Sequence, residues 1–219
     1  MRLGILGGTF DPVHEGHLAM VRAAAAAARL DRVLLIPCAH PPHKERPDLT
    51  DGYHRLAMLA LLVPLDPIVS VSSIELRRGG VSYTIDTLRD LHADHPGADL
   101  LLIVGSDSFA EMGTWRDRDE ILARAAIAVI QRPGAGVESL RGRLPFSLEK
   151  ALRPAGTVWP DSFEGMLPFA SVAECTPMEV SSTEIRNRVR EGRPIGGMVP
   201  GPVETYIHRQ GLYGPSPIR

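Results

Sequence analysis

Two short stretches carry residue types that suit phosphate chemistry. The first is GGTFDPVHEGH, Gly7–His17. Gly7 and Gly8 let the backbone turn tightly and approach a ligand with no Cβ in the way. Pro12 fixes its own φ and stiffens the loop. His14 and His17 are spaced to face the same side of a helix start. Two imidazoles and free amides aimed at one point could hold a polyphosphate. The second stretch is VSSTEIRNRV, Val180–Val189. Ser181 or Ser182 is its natural cap, and Ser181 with Glu184 has the spacing of a capping box. Ser182, Thr183 and Arg186 gather near the same helix start, where amides, hydroxyls and a guanidinium make a second phosphate site. A well-capped helix without a ligand fits that spacing too.

The elements that must position these residues follow from hydrophobic patterning. Leu3–Leu6 reads as a buried parallel strand and Leu18–Leu30 as an alanine-rich helix. A strand, a glycine turn and a helix together present backbone N–H groups and a helix N-terminus to a phosphate. Neither Gly-x-Gly-x-x-Gly nor a Gly-Lys-Ser/Thr phosphate loop is present. The histidine pair could ligate a metal, but no clear further ligand accompanies it.

Further strands are expected at Arg32–Pro37, Ile68–Val71, Asp99–Val104, Ala126–Ile130 and Phe169–Ala173. Helices are expected from a cap at Thr50 or Asp51 through Val63, over Tyr83–Asp94, and in a tryptophan-containing segment ending at Arg124. The alanines of the first helix suit close helix–sheet packing. Gly134–Pro168 has poor periodicity. Continuous apolar strands alternating with helices predict an α/β fold, a doubly wound and mostly parallel sheet covered on both faces. Ligands bind beyond the carboxyl ends of such strands. His14 and His17 follow the first strand, His40 and Lys44 the second, Asp107 the fourth and Arg132 the fifth.

The chain has 219 residues, 44% of them apolar, and a formal charge of −2. That length suits one α/β domain, alone or with a small appendage. The charge gives no global attraction to nucleic acid or acidic membranes, so an anionic ligand must rely on local basic residues. No apolar run is long enough to span a bilayer. With no basic leader and cleavage pattern, the expected location is cytoplasmic. Cys38 and Cys175 are too few for a disulfide framework and read as free thiols.

His14-Glu15-Gly16-His17 after a Gly-x-Phe-Asp-Pro loop, with Ser181-Ser-Thr-x-Ile-Arg186, resembles the paired signatures of the nucleotidylyltransferases. PPHK (Pro41–Lys44), SYTIDTL (Ser82–Leu88), GSDSFAEMGTW (Gly105–Trp115), QRPG (Gln131–Gly134) and VPGPVETYIHRQGLY (Val199–Tyr213) extend the likeness to the bacterial nicotinate-nucleotide adenylyltransferases. The likeness runs nearly end to end and is weakest over Gly134–Pro168. It implies one Rossmann-like nucleotidylyltransferase domain, with a core of about 1–180 and a small C-terminal helical part of about 181–219. The implied reaction joins ATP, carried with Mg²⁺, to nicotinate mononucleotide, giving nicotinate adenine dinucleotide and pyrophosphate for NAD biosynthesis. The implied partners are these small molecules, with no nucleic acid and no membrane, and a homo-oligomer is compatible.

The resemblance also assigns residues. Gly7, Gly8, Thr9 and Phe10 would line the nucleotide loop. His14 and His17 would contact the triphosphate, with His17 nearest the α-phosphate. Ser182, Thr183 and Arg186 would hold the β- and γ-phosphates. Gly105 and Asp107 would sit by the ribose and adenine, although Asp107 also fits a helix cap. Trp115 could stack on the pyridine, and it equally fits a core position. Thr84 and Ile85 open a helix, so their amides could receive the nicotinate carboxylate. Arg132 and Lys44 are candidates for the mononucleotide phosphate, and Lys44 also fits a solvated loop. A transferase for another phosphate acceptor, such as phosphopantetheine, and a non-catalytic nucleotide sensor are the alternatives.

Overall fold

The computed structural model of the chain describes residues 1–42, 48–131, 144–154, 157–176 and 178–214. Six strands form one sheet: β1 (Arg2–Gly8), β2 (Arg32–Pro37), β3 (Val69–Val71), β4 (Asp99–Gly105), β5 (Ala126–Gln131) and β6 (Ala170–Glu174). Their order is β3-β2-β1-β4-β5-β6, and every pairing is parallel. This is the parallel α/β sheet expected from the continuous apolar runs, in the Rossmann-like form that the resemblance implies. The order reverses direction between β1 and β4, which opens a crevice beyond their carboxyl ends.

Alternate strand residues face opposite layers. Leu101 and Ile103 of β4 join a core with Leu6, Val33, Leu35 and the helix α1 (Glu15–Ala28). Leu100, Leu102 and Val104 join a second core on the other face, with Leu3, Ile5 and the helix α4 (Thr84–Asp94). α1 turns Val21, Ala24 and Ala28 inward, each fully buried, so its small residues do bring helix and sheet together. At Gly4 a Cβ would lie 2.7 Å from Leu30 Cδ1, so any larger residue there would push the Leu30 side chain aside.

Several expected bounds shift. α1 starts at Glu15, not Leu18, because His14 already occupies the cap position. α2 (Gly52–Ala60) is capped by Asp51, whose carboxylate accepts the Tyr53 N–H at 2.8 Å, and it ends before Val63. A five-residue helix, α3 (Ile74–Arg78), stands between β3 and α4, where the patterning predicts no element. The tryptophan-containing segment is broken: α5 (Ser106–Glu111), a 3₁₀ turn (Met112–Thr114) and α6 (Arg118–Arg124). The stretch of poor periodicity contains α7 (Phe146–Ala151). It also supplies Trp159 and Phe163, which stack with Phe169 as an aromatic group sealing the first core. α8 (Ser182–Arg190) and α9 (Gly201–Arg209) complete the chain's helices among the described residues. No helix there is long and apolar enough to cross a membrane.

Candidate active site

A cleft of about 490 Å³ opens beyond the carboxyl ends of β1 and β4, within the range of small-molecule sites. Gly7, Gly8, Thr9, His14, His17, Thr84, Gly105, Asp107 and Trp115 all line it, so the fold gathers these sequence-derived candidates at one place. Lys44 and Arg132 lie outside the described residues. His40 is exposed and lies outside the lining; its carbonyl accepts the Ser82 N–H at 2.9 Å.

The two histidines owe their place to the start of α1. His14 is the cap and His17 stands one turn further along, with ring centroids 3.7 Å apart. The His14 backbone N–H donates to His17 Nδ1 at 3.2 Å, which orients that ring. Phe10 packs its buried ring 4.9 Å from His17, with its backbone in the left-handed region at φ 49°. Phe10 thus supports the loop from below, and its side chain does not line the cleft. A Cβ on Gly16 would stand 3.0 Å from the His14 ring and 3.1 Å from Val180. The glycine between the histidines lets the second motif approach the first.

That second motif faces inward. Ser181 lines the cleft, and its hydroxyl accepts the Glu184 N–H at 3.2 Å. The reciprocal half of the expected capping box is replaced: the Glu184 carboxylate takes Arg188 Nε at 2.7 Å. The Ser182 hydroxyl donates to the Pro12 carbonyl at 2.9 Å. Arg186 is 6% exposed and donates to the Asp11 carbonyl at 2.6 Å and to Thr183 Oγ1 at 3.3 Å. Ser182, Thr183 and Arg186 stand behind the loop, outside the cleft lining.

Three residues that sequence reasoning missed complete this end. Arg55 is 1% exposed, and its guanidinium donates to the carbonyls of Thr50, Thr9 and Cys38 at 2.7–2.8 Å. It ties the glycine loop to the chain leaving β2. A lone arginine in the apolar block YHRLAMLALL was the available signal. Fully buried Asp11 accepts the Tyr213 hydroxyl at 2.8 Å. Burial first, then the Asp11 carboxylate, push the Tyr213 hydroxyl above the usual tyrosine range, against a hydrogen bond with Thr50. Cys38 and Cys175 are not disulfide-bonded, and both line the cleft. Burial pushes the Cys38 thiol up, and the neighbouring Arg55 only partly opposes it, so Cys38 stays a protonated wall group.

The opposite end is built on α4. Tyr83 caps it, so Thr84 and Ile85 fall in its first turn, where N–H groups have no intrahelical acceptor. The Ile85 side chain itself is core. The Ser82 hydroxyl accepts the Ala39 N–H at 2.9 Å, which holds the approach to α4 against the end of β2. Buried Glu75 accepts the Thr87 hydroxyl at 2.6 Å, and Arg78 reaches Thr87 and Asp90 at 2.9 and 2.7 Å. Gly105, not Asp107, caps α5; Asp107 is exposed in the first turn of that helix, which corrects the helix-cap alternative. Trp115 is half-buried: one side packs on the second core and the other lines the cleft.

This geometry can seat a long anionic ligand with a flat ring at one end. Glycine amides and imidazoles serve the charged part; an indole and a helix start serve the ring. Comparisons with known proteins give the family and the fold. The cytidylyltransferase-like family matches residues 5–188. A Corynebacterium kroppenstedtii protein named "Probable nicotinate-nucleotide adenylyltransferase" is 41% identical over 98% of this chain and 92% of its own length. Proteins of the same name from Citrifermentans bemidjiense and Herpetosiphon aurantiacus are 41% and 39% identical, covering 97% of this chain and 98% of theirs. Among solved structures, a Plasmodium falciparum nicotinic acid mononucleotide adenylyltransferase complexed with NaAD has a TM-score of 0.71 at 17% identity, over 97% of each chain. That last likeness is one of fold.

Proposed function

The chain belongs to the nicotinate-nucleotide adenylyltransferases of the cytidylyltransferase-like family, and from that premise we propose that it joins ATP to nicotinate mononucleotide. The products are nicotinate adenine dinucleotide and pyrophosphate. The observation that carries this reading is the cleft itself, which holds the histidine loop at one end and Trp115 with the Thr84 helix start at the other.

A phosphate oxygen of the mononucleotide attacks the α-phosphorus of ATP. One phosphorus–oxygen bond forms to it, the bond to the β-phosphate oxygen breaks, and pyrophosphate leaves with that electron pair. The nucleophile is already anionic at neutral pH, so no side chain need take its proton. Rate enhancement then rests on positioning and on charge stabilisation. Gly7, Gly8 and Thr9 bring backbone close to the phosphates. His14 and His17 donate to the triphosphate, with His17 at the α-phosphate, where negative charge builds. Ser182, Thr183 and Arg186 serve the triphosphate by fixing Asp11 and Pro12, with the Arg186 charge beneath the loop.

ATP enters as its magnesium complex. Among the described residues, no group of three or more His, Cys, Asp or Glu is assembled that could hold a metal ion. Magnesium bound with ATP would supply neutralisation of the triphosphate charge, and we assign it no ligand from this chain. Gly105 and Asp107 take the ribose and adenine. Trp115 stacks on the pyridine, and the α4 amides at Thr84 and Ile85 receive its carboxylate. Lys44 and Arg132 remain our candidates for the mononucleotide phosphate. The division into a core of about 1–180 and a helical part of about 181–219 belongs to this reading, with the helical part bracing the loop.

Pyrophosphate release tests it, with ATP, Mg²⁺ and one acceptor at a time. Fast release with nicotinate mononucleotide and slow release with the amide is expected. Release with phosphopantetheine alone would assign another acceptor, and ATP binding without release from any acceptor would make the chain a sensor.

A further inference from the structure

Trp115 is followed at once by two charged residues that close a ring with α4. Arg89 Nη1 lies 3.1 Å from Asp86 Oδ1, and Arg116 Nη1 lies 3.4 Å from Asp86 Oδ2. Asp117 Oδ2 then meets both cations, Arg116 Nε at 3.7 Å and Arg89 Nη2 at 3.4 Å. The four charges alternate in sign around the circuit. The Arg116 guanidinium also covers the Tyr83 ring, 4.6 Å from its centroid, and Tyr83 is the cap of α4. Beyond the ring, Arg89 pairs with Glu120 of α6, which also takes Arg124 Nε at 2.7 Å.

Three features argue that the ring has a task. Asp117 is the cap residue of α6, a position where aspartate ordinarily accepts a hydrogen bond from its own helix. Here its side chain makes no cap bond and turns to the arginines, with the backbone held at φ 51°. The four side chains are 27–47% exposed, so as isolated surface pairs they would add little to folding stability. Finally, two positive and two negative charges cancel, so the ring adds no net attraction for an anionic acceptor. What remains is geometry. Residues 116 and 117 fix the indole that precedes them, and Asp86 and Arg89 stand on the helix whose first turn is Thr84–Asp86.

We propose that the Asp86–Arg116–Asp117–Arg89 ring is a positioning device for the acceptor subsite, setting the gap between Trp115 and the start of α4 in which the acceptor's flat ring sits. That acceptor identity rests on the function proposed above; the ring's hold on Trp115 does not.

The test uses the full chain with the isosteric substitutions Asp86→Asn and Asp117→Asn, singly and together. Neither residue lines the cleft. Each single substitution should raise the KM for nicotinate mononucleotide about three- to fivefold and move the KM for ATP and kcat by less than about twofold, the scale expected for a partly exposed charge network. The double substitution should cost less than the product of the two single effects, because either one opens the circuit. A second reading needs no turnover. In a Trp159→Phe background, acrylamide should quench Trp115 fluorescence more strongly once either aspartate is replaced. An equal rise in both KM values would overturn the proposal. So would a lower melting temperature with unchanged acceptor KM and unchanged quenching. A fall in acceptor KM would also overturn it, because freeing Arg116 would then attract the anion by charge alone. If the unsubstituted chain turns over no acceptor, the functional reading fails, and the quenching result still decides the ring.

Discussion

At the phosphate end of the cleft, Arg55 and Arg186 are buried and aim most of their hydrogen bonds at backbone carbonyls, Arg186 also reaching Thr183 Oγ1 at 3.3 Å and lying 3.9 Å from Asp11 Oδ2. At the pyridine end, Arg89 and Arg116 are half exposed and pair with carboxylates. The first arrangement sits in low dielectric, out of reach of salt, and holds main chain directly. The second sits in solvent, is screened by ions, and holds side chains on two elements. The difference follows from what each end must do. Donors aimed at a reacting phosphate must be fixed before the reaction. A subsite for a flat ring needs only a gap of the right width.

The comparison can be broken most severely at the phosphate end. His17→Ala should lower kcat by ~10²–10³, the range for removing one preorganised donor, with little change in folding. Pyrophosphate release and a melting curve read the two separately, and unchanged turnover would remove His17 from the chemistry. Arg55→Met should act on the fold instead. It leaves the carbonyls of Thr9, Cys38 and Thr50 without their donor, and the lost stability should be about 3 kcal/mol by denaturant unfolding.

Tyr213→Phe should be milder, about 2 kcal/mol, because one hydroxyl donor to a buried carboxylate is lost. It carries a pH signature as well. The Tyr213 hydroxyl is raised in the folded chain, so its contribution is complete below the ordinary tyrosine value of ~10 and is lost as pH rises from there. Stability measured into alkali should therefore fall more steeply in the unsubstituted chain than in Tyr213→Phe. The smallest effect is at the pyridine end. Added sodium chloride should raise the acceptor KM further than the ATP KM, and the excess should vanish in Asp86→Asn.

What the sequence made legible follows the same divide. β2 matches its expected bounds because one apolar run is closed by Pro37. The histidine loop is legible because glycine and histidine at those positions have few other uses. Arg55 was hidden because a single arginine within a helix ordinarily reads as solvent-facing, and only the fold shows three carbonyls around it. The direction of Arg186 was hidden because helix spacing gives a face, and says nothing of what stands opposite. The ring was invisible for a different reason: Asp86 and Asp117 stand 28 residues or more from their partners across it, on elements whose adjacency is tertiary. α3 and the Trp159–Phe163–Phe169 group follow neither helical nor strand periodicity, so no local pattern could announce them.

The clamp on the glycine loop has a consequence in time. Its three ties join partners 170, 175 and 202 positions apart: Ser182 to Pro12, Arg186 to Asp11, and Tyr213 to Asp11. Synthesis from the N-terminus makes the loop first and its braces much later. A nascent chain therefore carries its histidine loop long before the residues that brace it, and the fully braced loop needs Tyr213 clear of the ribosome.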